Sequence, residues 1–178
     1  MTDTTLDHIR RAAAIKVLIL DVDGVLTDGS LTYGEHGEVT KTFNVLDGLG
    51  IELLQKTGVQ VAIISARKSP VVIRRAADLK IMHVYQGTHD KRVAFADLLD
   101  TTGFTAEQCG YIGDDVIDLP LLRKVGFAVT VPSGHPEVQH RAHYVTRAPG
   151  GRGAVREVCD MVMRAQGNYD AALAPYFA

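Results

Sequence analysis

Two aspartates, Asp21 and Asp23, close an apolar run that reads Ile15-Lys16-Val17-Leu18-Ile19-Leu20-Asp21-Val22-Asp23-Gly24-Val25-Leu26-Thr27-Asp28. Val17 to Leu20 has the length and branching of a fully buried strand, and Gly24 punctuates its end. The two carboxylates therefore stand at a strand's C-terminal edge, where open α/β sheets place their ligands. Residues two apart on a strand point to the same face, so the carboxylates converge at an electrostatic cost. A divalent cation, or a proton held by one member, relieves that cost. The pair suits Mg²⁺ binding and nucleophilic attack by a carboxylate. An Asx turn after a core strand has the same local sequence, so the assignment needs support from elsewhere in the chain.

That support comes from four further places. Ile112-Gly113-Asp114-Asp115-Val116-Ile117-Asp118 repeats the opening pattern of strand, glycine and carboxylates, with Asp114 at the strand end. Asp115 and Asp118 fall on the helix side and also read as N-caps, a position aspartate favours. Ser65 closes the run Val61-Ala62-Ile63-Ile64, where a hydroxyl and backbone N–H groups can hold a phosphoryl oxygen and Arg67 can add charge. Lys91 opens a helix, a place the helix dipole disfavours for a cation, which points to an anionic partner. Thr27 and Asp28, shortly after the aspartate pair, add support to the functional reading. His135, His140 and His143 also cluster in sequence, but with no cysteine pair nearby they read as surface or cap histidines rather than as zinc ligands.

The elements that must carry these residues alternate strand and helix. An opening helix spans about Leu6 to Ala14, and the first strand runs from Lys16 to Asp21. A hairpin follows, with arms at Leu31 to Tyr33 and Val39 to Phe43 and a turn at Gly34-Glu35-His36-Gly37. A helix from Gly48 to Lys56 stops at Gly58, and Val59 to Ile64 is the second strand. Pro70 suits a first helical position ahead of Val71 to Leu79. His83 to Tyr85 is a short third strand, followed by a helix from Asp90 to about Asp100. Thr105 to Gln108 is a capping-box pattern opening a short turn. Gly110 to Ile112 is the fourth strand, Leu119 to Lys124 a helix, Phe127 to Val131 the fifth strand and Tyr144-Val145 a sixth. The last helix runs from Ala154 to Ala165, and Gln166 to Ala178 lacks clear periodicity. Such alternation predicts an α/β fold: a doubly wound, Rossmann-like parallel sheet with helices on both faces and a small β-hairpin insertion. The expectation is a single domain over 1–178, with the hairpin near 30–43 and a flexible tail near 167–178.

Composition narrows the function classes. At 178 residues the chain can build a core without staples, and 46% apolar with 22% charged residues describes an ordinary globule. A formal charge of −2 gives no reason to expect nucleic acid or an anionic membrane as partner. No apolar stretch approaches the roughly 20 residues of a membrane span, and the first residues lack the pattern of a signal peptide. Cys109 and Cys159 show no CxxC spacing and require no disulfide, so reduced cytoplasm is the expected compartment.

A strand-end Asp-x-Asp, a strand-end Ser, a Lys and a strand-end Asp, in that order on successive βα units, resemble the haloacid dehalogenase superfamily of phosphotransferases. The resemblance implies a two-step hydrolysis through an aspartyl-phosphate. Asp21 is then the nucleophile and Asp23 the general acid and base. Mg²⁺ is held by Asp21, the backbone carbonyl of Asp23 and Asp114, and Ser65 and Lys91 hold the phosphoryl oxygens. The stretches from Asp28 to Ser65 and from Ser65 to Lys91 are too short for the cap domain many members carry. Asp21 to Gly29, Phe43-Asn-Val-x-Asp-Gly48, Tyr85-Gln-Gly87, Gly113-Asp-Asp115 and Gly150-Gly-Arg-Gly-Ala-Val-Arg-Glu-Val-Cys159 look like the capless 3-deoxy-D-manno-octulosonate 8-phosphate phosphatases. That closer likeness implies an acidic sugar phosphate as substrate, in the route to lipopolysaccharide. It also implies a homotetramer whose hairpins form a central barrel and whose tails reach neighbouring sites. Asn44, Val45, Leu46, Asp47 and Gly48 are expected to line the sugar site, and Arg67 and Arg75 to meet its carboxylate or phosphate. Ser65-Ala66-Arg67 replaces the Thr-Gly-Arg frequent in the family but keeps the hydroxyl. Glu52 stands where some relatives have arginine, and His89-Asp90 is an unusual pair before Lys91. Competing readings are a phosphatase of related sialic-acid-type sugars, a capless enzyme acting on a macromolecule, and a receiver-like or non-catalytic Mg²⁺-binding module.

Overall fold

The computed structural model describes residues 3–177. Met1, Thr2 and Ala178, the last of these in the expected tail, lie outside the described residues. Helix α1 (Asp3–Ala14) precedes β1 (Val17–Leu20), and the hairpin strands β2 (Thr32–Gly34) and β3 (Gly37–Thr40) come next. Then follow α2 (Val45–Lys56), β4 (Gln60–Ser65), α3 (Pro70–Asp78), β5 (His83–Gln86) and α4 (Lys91–Thr102). The second half holds β6 (Cys109–Ile112), α5 (Leu119–Leu122), β7 (Phe127–Thr130), α6 (Pro136–Gln139), β8 (Tyr144–Val145), α7 (Ala154–Ala165) and α8 (Tyr169–Leu173). Single 3₁₀ turns lie at Ala106–Gln108, Val116–Asp118 and Ala174–Tyr176.

Six parallel strands form the main sheet in the order β5-β4-β1-β6-β7-β8. The chain winds outward from β1 through β4 to β5, then returns to the other side of β1 as β6. The strand order thus reverses between β1 and β6, and a crevice opens there at the strands' C-terminal ends. All four residues of β1 are buried. Their alternation feeds both faces: Leu18 and Leu20 join the core packed by Ile51, Leu54, Val155, Val158 and Val162, while Val17 and Ile19 join that of Phe95, Leu98, Tyr111 and Leu121. Each such side chain contributes about 1.5–3 kcal/mol on burial, so the strand that ends in Asp21 is fixed from both sides.

Three of the differences from the sequence expectation bear on the site and the tail. Helix α2 begins at Val45 rather than Gly48, because the Asn44 side chain accepts the Leu46 N–H at 2.8 Å and nucleates an earlier first turn. The hairpin turns at Gly34-Glu35-His36-Gly37 as expected, but its second strand is Gly37–Thr40 and ends before Phe43. The tail is not featureless. Tyr169, Ala172 and Leu173 pack against the core cluster on the α2 and α7 side, and the Arg164 guanidinium lies 3.4 Å from the Tyr169 ring centroid.

Candidate active site

The site grows from the β1 edge. The Asp21 N–H donates to the Ile112 carbonyl at 3.0 Å, continuing the β1–β6 ladder one residue past the strand. The chain then turns over Val22–Thr27. Thr27 Oγ1 accepts the N–H groups of Gly24 and Gly29, so this buried hydroxyl braces the loop from inside. Gly24 has φ +85°, and a Cβ there would stand 2.0 Å from Asp114 Oδ2. Only glycine lets the loop carry Asp23 past while the Asp114 carboxylate leans against it.

Asp21, Asp114 and Asp118 present carboxylate oxygens within 4.8 Å of one another. Lys91 reaches into this group from the first residue of α4, its Nζ 2.8 Å from Asp21 Oδ1 and 2.6 Å from Asp118 Oδ1. The cation that looked misplaced at a helix start is buried and balances two aspartates. Asp118 is fully buried and fully engaged. Its Oδ1 also accepts the Tyr111 hydroxyl at 2.6 Å, and its Oδ2 accepts the N–H groups of Asp114 and Asp115. Asp118 therefore orients Lys91 and the Asp114 loop at once. Asp115 caps the 3₁₀ turn through the Val116 N–H and is exposed.

The electrostatics separate these acids. Burial, reinforced by the charge of Asp118, lifts the Asp21 carboxyl to about 6 against the pull of Lys91. Burial and the charges of Asp21 and Asp118 lift Asp114 to about 7. Burial also opposes the charge on Lys91, but Asp21 and Asp118 outweigh it and hold the ammonium above its ordinary value. The Tyr111 phenol is pushed well up by burial and by Asp118, so it stays a donor. Asp21 and Asp114 are thus two oxygen-bearing groups under mutual repulsion, with hard-donor chemistry that fits Mg²⁺.

The other expected residues divide. The Asp23 side chain turns away from the carboxylate group, to Lys41 Nζ at 2.5 Å and Arg67 Nε at 3.6 Å. Its backbone carbonyl is what it can offer a metal. Ser65 is buried at the end of β4, where its Oγ accepts the Arg67 N–H at 3.3 Å. Arg75 lies apart from Arg67, its guanidinium 5.9 Å from the Phe43 ring and close enough to Gly48 that a Cβ there would strike it. Val45 and Leu46 are exposed. The Asp47 carboxylate is buried and accepts the N–H groups of Gly153 and Arg156, capping α7 across the molecule. Asn44 Nδ2 donates to the Gly151 carbonyl. The glycine cluster is close-packed backbone: a Cβ on Gly150 would lie 1.8 Å from the Gly24 carbonyl oxygen, and the Gly151 N–H donates to Val25. His135 and His143 each accept a backbone N–H at Nδ1, from Glu137 and Ala128.

A protein from Escherichia coli strain K12, the 3-deoxy-D-manno-octulosonate 8-phosphate phosphatase KdsC, is 51% identical over 166 residues, which cover 93% of this chain and 88% of that protein. The chain belongs to this phosphatase family. Residues 76–156 also match the haloacid dehalogenase-like hydrolase family. The crystal structure of the Yersinia pestis 3-deoxy-D-manno-octulosonate 8-phosphate phosphatase superposes with a TM-score of 0.90 at 50% identity, over 92% of this chain and 89% of that one. The Moraxella catarrhalis 3-deoxy-D-manno-octulosonate 8-phosphate phosphatase, solved with magnesium ion, phosphate ion and KDO, gives 0.91 at 43% identity over 94% and 97% of the two chains.

Within this phosphatase family frame, sequence reasoning undervalued three residues. Asp118 read as a helix cap, Tyr111 as strand interior and Lys41 as part of a hairpin arm. The signal for Asp118 was its distance from Asp114, one helical turn, which returns a side chain to the same strand end. Tyr111 and Lys41 carried no signal that spacing could supply.

Proposed function

We propose that this chain is a Mg²⁺-dependent phosphomonoesterase that removes phosphate from 3-deoxy-D-manno-octulosonate 8-phosphate through an aspartyl-phosphate, as part of lipopolysaccharide synthesis. The observation that carries this reading is the gathering of Asp21 and Asp114 at one rim with Lys91 on Asp21. Asp21, Asp114 and the Asp23 backbone carbonyl would hold Mg²⁺, which supplies charge neutralisation between an anionic ester and an anionic nucleophile.

The protein's own groups divide the work. Asp21, fixed by the ladder and by Lys91, attacks phosphorus; the P–O bond to the sugar breaks, and Asp23 gives its proton to the departing sugar oxygen. Asp23 then takes a proton from water, whose oxygen attacks phosphorus and returns Asp21 as a carboxylate and phosphate as product. The Ser65 hydroxyl and Lys91 ammonium are suited to the phosphoryl oxygens. Arg67 and Arg75 offer forked donors to the substrate's carboxylate. The half-buried Asn44 with the exposed Val45 and Leu46 supplies a partly apolar wall for the sugar.

Leu31, Tyr33, Val45 and Leu46 are exposed, and β2 and β3 form a separate two-stranded ribbon. Such a surface supports a homotetramer assembled through the hairpins. Among the described residues no helix is long and apolar enough to cross a membrane; a cytoplasmic site of action fits an acidic sugar phosphate as substrate. The test is phosphate release from 3-deoxy-D-manno-octulosonate 8-phosphate with and without EDTA, alongside light scattering for mass. Turnover that EDTA abolishes and Mg²⁺ restores is expected; no release from this sugar phosphate would overturn the reading.

A further inference from the structure

Among the described residues, the partners of the Asp23 carboxylate lie outside the loop that carries it. One oxygen, Oδ1, meets Lys41 Nζ at 2.5 Å, and the other, Oδ2, lies 3.6 Å from Arg67 Nε. Lys41 follows directly on β3, and its side chain is 2% exposed, so an ammonium is buried where Asp23 is its ion-pair partner. Arg67 in turn donates through Nη2 to the Tyr33 hydroxyl at 2.9 Å, and Tyr33 belongs to β2. Both arms of the hairpin therefore reach the same carboxylate, the residue after β3 directly and β2 through Arg67. The hairpin forms a sheet of its own, so its contacts with the main fold include this grip on Asp23.

We infer that Lys41 is a positioning residue: it fixes the direction of the Asp23 carboxylate and thereby makes the hairpin a structural determinant of proton transfer to the leaving group. This rests on the phosphatase reading given above. A carboxylate with one oxygen held by a hydrogen bond and the other facing a guanidinium has a preferred orientation, and misplacing a reacting group by about 1 Å can cost on the order of 10²-fold. Burying a long lysine is entropically costly, and a buried ammonium needs a charged or hydrogen-bonding partner. The hairpin supplies the donor and the catalytic loop supplies the accepting oxygen Oδ1, which leaves Oδ2 as the oxygen that can carry the proton.

The experiment compares two leaving groups. Departure of the sugar alkoxide from 3-deoxy-D-manno-octulosonate 8-phosphate needs a proton, whereas 4-nitrophenolate leaves as a stabilised anion. For Lys41→Met, kcat on the sugar phosphate is expected to fall about 100-fold, with a far smaller fall, about threefold, on 4-nitrophenyl phosphate and little change in KM. Lys41→Arg, which keeps the charge, should recover most of the sugar-phosphate rate. Adding Lys41→Met to Asp23→Ala should cost nothing further on either ester. Circular dichroism and thermal melting establish that each variant is folded, and Lys41→Gln replaces Lys41→Met if the latter is not. Equal losses on both esters, no recovery with arginine, or losses that add to those of Asp23→Ala would each overturn the inference. A wild-type protein inactive on both esters would instead sink the phosphatase reading and leave the ion pair unexplained by it.

Discussion

Two regions of this molecule bury aspartates, and they do so to opposite ends. At the joint between α2 and α7, Asp47 is buried and spends its carboxylate on the N–H groups of Gly153 and Arg156. Burial raises its pKa, but these backbone donors pull the other way. At the β1–β6 rim, Asp118 is saturated in the same manner, by Lys91, Tyr111 and two N–H groups. Asp21 and Asp114, beside it, are not, and they sit at about 6 and about 7. The difference separates structural from working carboxylates. A buried acid whose oxygens are all taken stabilises a loop, whereas one left under repulsion waits for a cation or a phosphoryl group.

The sharpest way to break this distinction is to neutralise a working acid. Asp21→Asn removes the nucleophile while leaving its size, so turnover should fall on the order of 10³-fold or more, with far-ultraviolet circular dichroism and melting temperature close to wild type. Appreciable hydrolysis in the purified variant would take the nucleophile away from Asp21. The structural acid beside it should behave in reverse order. Asp118→Ala leaves Lys91 with Asp21 as its remaining carboxylate partner among the described residues and deprives the Tyr111 hydroxyl and two N–H groups of their acceptor, a loss on the order of 3 kcal/mol for a buried partner deleted. Urea denaturation is expected to report that loss first and activity to follow from it. A variant of normal stability but no activity would move Asp118 into the reacting set.

Asp47 sharpens the comparison because its sequence position suggested a sugar contact. Deleting its carboxylate leaves two buried donors unpaired, so Asp47→Ala should cost about 2 kcal/mol and lower the melting temperature by roughly 4–8 °C. Rates on the sugar phosphate should fall far less than for Asp21→Asn. If KM alone rises and stability is unchanged, Asp47 reaches the substrate and the joint is held by other contacts.

The sequence made the sheet legible because β1, β4 and β6 are short apolar runs ending in glycine or a polar residue, and that punctuation survives in the fold. The pairing of β1 with β6, which brings Asp21 to Asp114, is one of several strand orders a doubly wound pattern allows, and only the structure decides it. What stayed hidden was which side chains consume which. Lys41 looked like any lysine on a ribbon, since its partner Asp23 is 18 positions away in the chain. Asp47 is tied to a segment 106 positions on, and no local spacing announces such a contact. Asp118 was legible in place but not in role, because a cap and a lysine anchor require the same residue type at a helix start. The tail was misjudged for a related reason: five helical residues are too few to show a period, and their helix depends on packing against α2 and α7.

The smallest expected effect concerns pH and metal together. Asp21 and Asp114 have folded-state values of about 6 and about 7, above the roughly 3.9 of an aspartate in an unfolded chain. The folded state therefore binds these protons more tightly than the unfolded state does. Stability is undiminished below about pH 4, declines as pH rises through the folded values, and carries its full penalty near pH 8. A divalent cation bound between the two carboxylates offsets that penalty, but only where they are ionised. Millimolar Mg²⁺ should accordingly raise the melting temperature at pH 8 by roughly 3 °C, and by much less at pH 5, where protons already neutralise the pair. Asp114→Asn deletes one repelling charge, so in EDTA at pH 8 it should melt above wild type and respond weakly to Mg²⁺, with activity lost. Stabilisation without metal, paired with loss of function, is the signature of an acid kept for work rather than for structure. An Asp114→Asn protein that melts below wild type in EDTA would place Asp114 with Asp118 and Asp47 among the structural acids.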